Sequence, residues 1–394
     1  MAPRHYLDHA STSPLRPVAL AAMLRWLDPP SGSVLGDPGR VHWEGRAARN
    51  ALEESRESIA AFVGARPRQV VLTSGGTEAV NAATWGAARS RPGYPIVLSA
   101  VEHSSVREAS DRLSEVVQVE VDRYGRLDPE ALVEVLKHLE VEGRPAALVH
   151  LQLANHEVGT VQPVRELAAV ARRAGALVHV DACAAAATLP VSLEELDADL
   201  LSLSGHKLGG PAGIGALVFR PGLRLEPMIV GGAQERARRA GFENLPAAAG
   251  FAAVADLLGS RERLEAEERQ ARGQVGAMLE AVLEVEGVSL LGDPDPAGRL
   301  ANLACVAVEG VEAGGVLLAL DQSGIAIHSG SACSSEALSP SPVLEAMGAP
   351  SDRSLRLSVG WSTTDDDVVA FTSAFPAALA TLRSLGGRAG RHAG

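Results

Sequence analysis

Short apolar runs alternate along this chain with longer stretches of helical periodicity, and that alternation restricts the fold more than any other feature. Residues 70–73, 95–99, 146–151, 176–181, 200–204 and 215–219 each read as a buried strand. Helical segments lie between most of them, the first from Thr77 onward. A strand that is apolar on both faces needs cover on both, and strands joined through helices run parallel. The pattern therefore predicts an α/β fold with a mainly parallel sheet covered by helices. After about residue 250 the pattern changes. Residues 252–285 are rich in Ala, Glu, Arg and Leu and predict long helices. Strand-like runs at 303–308 and 324–327 follow, with a helix near 315–321 between them and a last helix after Thr364. This predicts a second, smaller α+β unit. The Gly- and Arg-rich residues 386–394 predict a frayed end.

Composition removes several functional classes. The 394 residues are 46% hydrophobic and 21% charged, which suits a packed globule and excludes a mostly disordered chain. A net charge of -12 argues against nucleic-acid binding, which needs a basic footprint. No run of about 18 uncharged apolar residues is present, so no membrane span is expected. The opening residues, Met1 to Asp8, lack the apolar core of a signal peptide, and a cytoplasmic protein is expected. Cys183, Cys305 and Cys333 are too few and too scattered for a disulfide framework or a zinc pattern, so no metal site is expected and the thiols should be reduced.

Lysine usage is informative. Of the 36 Lys and Arg residues only Lys137 and Lys207 are lysines. Lys137 sits in a stretch that reads as a surface helix, where a solvated charge is sufficient explanation. Lys207 sits in Ser204-Gly205-His206-Lys207-Leu208-Gly209-Gly210-Pro211, which is no surface helix. An amine can lose its proton and act as a nucleophile, whereas a guanidinium cannot.

Three further segments can carry chemistry. Thr73-Ser74-Gly75-Gly76-Thr77-Glu78 ends a strand and starts a helix, where free backbone N–H groups can cradle a phosphate. It matches neither the dinucleotide nor the P-loop spacing, and a plain strand–helix turn is the alternative. Asp181 ends a buried strand, where open α/β sheets bind ligands; a helix cap is the competing reading. An aspartate followed after one more strand by Lys207 is what pyridoxal phosphate chemistry requires. The lysine forms a Schiff base, and the aspartate keeps the pyridine nitrogen protonated. Cys333 lies among small residues, Ser331-Ala332-Cys333-Ser334-Ser335, and reads as a reactive thiol rather than a buried inert one. Cys305 lies inside an apolar strand and reads as core. Cys183 follows Asp181 by two positions, so it should lie near the cofactor in a packing role.

These segments resemble, in order, the cysteine desulfurases of the class V aminotransferase group. The resemblance runs from Tyr6-Leu7-Asp8-His9-Ala10-Ser11-Thr12-Ser13-Pro14 through Glu102-His103, Asn155-His156-Glu157-Val158-Gly159, His179-Val180-Asp181-Ala182 and Ser204-Gly205-His206-Lys207 to Leu355-Arg356-Leu357-Ser358. It implies a seven-stranded-type sheet of the fold-type I pyridoxal phosphate enzymes. It implies a large cofactor domain over 15–255 and a small domain from 1–14 and 256–394 that carries the cysteine loop. Lys207 would be the Schiff-base lysine and the acid/base at the substrate α-carbon. Asp181 would pair with the pyridine nitrogen, and His103 would stack on the ring and move protons. Gly76, Thr77, Ser204 and His206 would hold the phosphate. Asn155 and Arg356 would hold the substrate carboxylate, and Cys333 would take the sulfur as a persulfide. The resemblance further implies L-cysteine as substrate, a homodimer, and a sulfur-acceptor protein, with no nucleic-acid or membrane partner.

The chain departs from the family pattern. Ala184 stands where a glutamine usually bonds the cofactor's phenolic oxygen. Phe242 stands where a threonine usually reaches the phosphate across a dimer interface, and Ala233 and Ala237 replace glycines nearby. Losing one neutral and one charge-assisted hydrogen bond costs about 2–4.5 kcal/mol together. The expectation is a retained cofactor in a remodelled pocket. Another carbon–sulfur or carbon–selenium lyase, an aminotransferase, or a scaffold without turnover remain open alternatives.

Overall fold

The computed structural model describes residues 4–28, 35–329 and 340–389. The strands are β1 (His5–Tyr6), β2 (Val70–Thr73), β3 (Ile96–Ser99), β4 (Val116–Val119), β5 (Leu148–Gln152), β6 (Leu177–Asp181), β7 (Leu200–Ser204), β8 (Gly215–Phe219), β9 (Val288–Leu291), β10 (Leu303–Val308), β11 (Ile325–Ala326), β12 (His328–Ser329) and β13 (Ser354–Ser358). The helices are α1 (Pro17–Leu27), α2 (Trp43–Phe62), α3 (Gly76–Ser90), α4 (Ser104–Leu113), α5 (Pro129–Val141), α6 (Val164–Arg173), α7 (Gln234–Ala237), α8 (Leu245–Gly259), α9 (Arg261–Leu283), α10 (Ala313–Gln322), α11 (Pro342–Ala346) and α12 (Asp365–Ala389).

A seven-stranded sheet in the order β2-β8-β7-β6-β5-β3-β4 forms the centre. Its inner pairs are parallel; β8 alone runs antiparallel to its neighbours β7 and β2. β2, β3, β5, β7 and β8 are buried along their whole length, which is why they read as continuous apolar runs. β4 was not foreseen: as an edge strand it pairs, among the described strands, with β3 alone, is half exposed, and has a weak apolar pattern.

A four-stranded antiparallel sheet, β12-β13-β10-β9, lies apart from the first. Within the stretch 324–327, expected as a strand, Ile325–Ala326 form β11; β12 follows outside it. β11 pairs with β1, and β12 pairs with β13. β12 is the polar pair His328-Ser329, so no apolar run announced it. α12 carries its helical backbone to Ala389, past the frayed start expected at residue 386.

Buried side chains form two principal clusters. The larger fills one face of the seven-stranded sheet beneath α2, α5, α6 and α8, and a smaller cluster under α3 covers the other face. The second joins α9, α10 and α12 to β10 and β13, and Leu7 of the N-terminal segment is part of it. Among the described residues one helical stretch, Asp365–Leu385, is long and apolar enough to cross a bilayer. Its Phe371, Phe375 and Leu379 are fully buried in the second cluster, while Val369 and Leu385 are exposed.

Candidate active site

The parallel strands point their C-terminal ends at one cavity of about 640 Å³. Of the ten residues expected at the site, Gly76, Thr77, His103, Asp181, Ser204, His206, Lys207 and Arg356 line it. Asn155 does not, and Cys333 lies outside the described residues.

The floor is built where β2 turns into α3. Gly75 takes φ +157°, a conformation reserved for glycine, and presents the first turn of α3 to the cavity. A Cβ on Gly76 would meet Cys183 Sγ at 2.6 Å and Ser204 Cβ at 3.4 Å, so only glycine leaves this cradle open. Glu78 accepts from the Ser74 backbone N–H at 2.8 Å and from Arg239 Nε at 2.9 Å; these bonds outweigh its burial and lower its carboxyl's affinity for protons.

Asp181 ends β6 and accepts the Cys183 backbone N–H at 2.9 Å. β7 ends at Ser204, and the chain folds into a single 3-10 turn that presents His206 and Lys207. Lys207 Nζ donates to the Ala10 carbonyl at 2.7 Å. His206 Nδ1 lies 3.1 Å from Thr12 Oγ1; burial and then the neighbouring Lys207 charge push the ring down to about 4, so it is neutral at pH 7.

His103 caps α4. Its Nδ1 accepts the Ser105 N–H at 3.1 Å and faces Ser105 Oγ at 2.8 Å, which assigns the proton of the neutral ring to Nε2. Its ring meets His156 edge-on, with centroids 5.0 Å apart.

Beneath Asp181 lies a polar layer that the sequence did not announce. His150 and His179 share one hydrogen bond, Nδ1 to Nδ1, at 2.8 Å. His179 Nε2 faces Ser202 Oγ at 2.7 Å, and His150 Nε2 faces Thr84 Oγ1 at 3.3 Å. Burial favours the neutral imidazoles, pushing His179 down to about 4 and His150 well below its usual range. Glu102 is fully buried, accepts the Gln152 N–H through Oε1 at 2.8 Å and, among the described residues, leaves Oε2 without a partner. Burial first, and then the Asp181 charge, push its carboxyl up to about 8. Two carboxylates in one buried site favour a single charge, and here Glu102 keeps its proton.

Arg356, on β13, is 2% exposed and reaches the same cavity from the second sheet. Nη1 donates to the His156 carbonyl at 3.0 Å; Nη2 donates to Asp8 Oδ1 at 2.9 Å and to Ser11 Oγ at 2.6 Å. Nε is buried without a partner among the described residues. Asn155 is fully buried: its amide oxygen accepts the Glu157 and Val158 N–H groups, and its nitrogen donates to the Val101 carbonyl and Gln152 Oε1. In this arrangement its amide braces the loop after β5 and has no hydrogen left for a ligand.

Sequence reading passed over Asp8, Ser11, Gln152 and Ser105. The first two lie inside the quoted N-terminal motif, which was the one signal available for them. Cys183 lines the cavity as expected, while Cys305 is fully buried and burial pushes its thiol far above the range of a nucleophile. Lys137 projects from α5 beside Glu134, as a solvated charge should. Ala184 lines the cavity, and Phe242 is 60% exposed on the surface.

The chain matches the aminotransferase class-V family over residues 5–371. It is 39% identical to a cysteine desulfurase of Gluconacetobacter diazotrophicus, over 96% of this chain and 94% of that one. Its fold superposes with a TM-score of 0.86 on a NifS-like protein at 26% identity, covering 96% of this chain and all of the other. It superposes with a TM-score of 0.76 on SspA in complex with cysteine at 27% identity, covering 90% and 99%. A family match across most of the chain, with relatives aligned over nearly their whole length, identifies it: the chain belongs to the aminotransferase class-V family.

Proposed function

We propose that this protein is a pyridoxal phosphate-dependent cysteine desulfurase that converts L-cysteine to L-alanine and leaves the sulfur as a persulfide on Cys333. The convergence of Lys207, Asp181, His103 and Arg356 on one cavity carries the reading. Relatives named cysteine desulfurases and a cysteine-bound structural neighbour support it.

The donor set suits the cofactor. The first turn of α3, with a glycine where a Cβ would collide, fits a phosphate, together with Thr77, Ser204 and His206. Lys207 would hold the aldehyde carbon, and Asp181 the pyridine nitrogen. When bound, the cofactor supplies an electron-withdrawing ring that stabilises negative charge at the substrate α-carbon. Lys207 moves the proton at that carbon. Arg356 holds the carboxylate. His103 moves protons at the substrate thiol, keeping the sulfur protonated while it is attacked. The Cys333 thiolate bonds to the substrate sulfur as the carbon–sulfur bond breaks; the electron pair stays on carbon, which is then protonated.

Asn155 adds to the clamp only after its amide releases its present partners, so Arg356 carries the carboxylate alone in the first encounter. The working unit is a homodimer in a reducing compartment, which keeps Cys333 as a thiol. The persulfide passes to an acceptor protein.

The test incubates the purified protein with L-cysteine and a reductant and assays sulfide and alanine together. Equal amounts of both are expected. Cys333→Ala should keep the bound cofactor and its spectral response to L-cysteine while losing persulfide and sulfide. Lys207→Ala should lose the borohydride-reducible link to the cofactor. Cys333→Ala with most of its alanine and sulfide output intact would replace sulfur relay by a simple lyase reaction.

A further inference from the structure

The guanidinium of Arg356 has five N–H hydrogens. A carboxylate takes a guanidinium bidentately along one of two edges, Nη1/Nη2 or Nε/Nη2, and both edges use Nη2. In this protein both Nη2 hydrogens are committed, one to Asp8 Oδ1 at 2.9 Å and one to Ser11 Oγ at 2.6 Å. Ser11 Oγ donates in turn to Asp8 Oδ1 at 3.0 Å, so the three groups form one closed set. Among the described residues, what remains is the buried, unpartnered Nε–H and the second hydrogen of Nη1. These do not share an edge.

We propose that Asp8 sets the affinity and selectivity of this site for the α-carboxylate of its amino-acid ligand, by occupying the Nη2 nitrogen that a bidentate carboxylate needs. The proposal rests on the reading of Arg356 as the carboxylate-binding residue. An incoming carboxylate either binds through a single hydrogen or displaces Ser11, and it meets the negative charge of Asp8 behind the guanidinium. Both effects weaken the clamp. A weak clamp suits an enzyme whose substrate and product carry the same carboxylate, because a tight one would retain the product. Asp8 comes from the N-terminal segment, whose backbone joins β13 at Ser358, so the pair is held by the fold and not by a flexible side chain. Asp8 acts through Arg356 and is a positioning residue.

The experiment measures equilibrium binding of radiolabelled L-alanine to the cofactor-loaded protein, with ethylamine as the probe lacking a carboxylate. Asp8→Asn keeps an acceptor oxygen at the same place and removes the charge. It should bind L-alanine about 3–10-fold more tightly than the parent, with ethylamine binding unchanged. Ser11→Ala frees one Nη2 hydrogen and should tighten L-alanine binding in the same direction, which keeps the test decisive if Asp8→Asn folds poorly. Turnover of L-cysteine by either variant should show a lower KM without a higher kcat. L-alanine affinity that is unchanged or weaker in both variants overturns the role of Asp8. Arg356→Ala that binds L-alanine as the parent does overturns the underlying assignment of Arg356 instead.

Discussion

Single buried titratable residues in and around this site pull stability in opposite directions with pH. His9, His179 and His206 have folded-state values pushed down to about 4, chiefly by burial. Unfolded, they take up protons near pH 6.5, so their contribution is present above that pH and is lost as pH falls toward 4. Glu102 behaves oppositely: its folded value is pushed up to about 8 from 4.5, so the folded chain holds a proton that the unfolded chain releases. Its contribution is present below pH 4.5 and is lost as pH rises toward 8. Denaturant titrations of the cofactor-free chain across pH 4–9 should therefore show a maximum. Glu102→Gln should flatten the alkaline limb and leave the acid limb in place; an unaltered alkaline decline would remove Glu102 as its cause.

At the scale of elements, two short segments carry the sharpest constraints. The start of α3 admits no side chain at position 76, where Cys183 Sγ and Ser204 Cβ crowd the added Cβ. Gly76→Ala should weaken retention of pyridoxal phosphate by about tenfold or more, read by fluorescence during dialysis, since one good charge-assisted hydrogen bond is worth that much. Cys183→Ala in the same chain should recover part of the loss by vacating the space. The second segment is α7, where Glu235, Arg236 and Ala237 all have positive φ and the turn is left-handed. Each such residue costs about 1–2 kcal/mol. The turn is held by Glu235, whose buried carboxylate accepts from Arg56 Nη1 at 2.6 Å and from the Leu72 N–H at 2.9 Å. Removing one partner of a buried pair costs about 3–5 kcal/mol, so Arg56→Ala should lower unfolding free energy by that amount. Ala237→Gly should raise it by about 1 kcal/mol, as the strain of a left-handed alanine is relieved. That alanine stands where the resembled family has glycine.

For the whole molecule, the two buried clusters support dividing the chain into residues 15–255 and a second unit of 1–14 plus 256–394, which we propose as its domains. α9 lies in the second unit and packs against both clusters. Its Leu264 packs in the first cluster, and Ala271 to Val282 pack in the second. The N-terminal segment ties the units together, because Ala10 holds Lys207 while Asp8 holds Arg356. Phe371→Ala, deep in the second cluster, should cost about 3–5 kcal/mol. The surface of the first unit carries large exposed apolar side chains: Val41 at 83%, Trp43 at 64%, Val230 at 73% and Phe242 at 60%. The two segments bearing them approach each other, with Glu243 in the field of Asp37. A second copy of the chain is the proposed cover, since apolar patches of this kind mark association surfaces. Trp43→Glu combined with Phe242→Glu should shift the protein from dimer to monomer in light scattering. A monomeric parent would remove the proposal.

By itself the sequence determined the kind of fold and the chemistry-bearing pair. Strand and helix periods are local, so β5, β6, β7 and β8 could be read directly from apolar runs. Lys207 and Asp181 stood out because one is a rare residue type away from a surface helix and the other ends a buried strand. Tertiary structure alone decided which groups face the cavity. Asp8 reaches Arg356 across 348 residues, and Ala10 reaches Lys207 across 197. Asn155 matches the motif yet turns its amide inward to the loop, because buried backbone N–H groups must find acceptors and it is the nearest one. The pairing of β11 with β1 and of β12 with β13 was likewise settled by which strands lie alongside. Periodicity records the burial of each residue's own face; it carries no record of the distant partner that completes the contact.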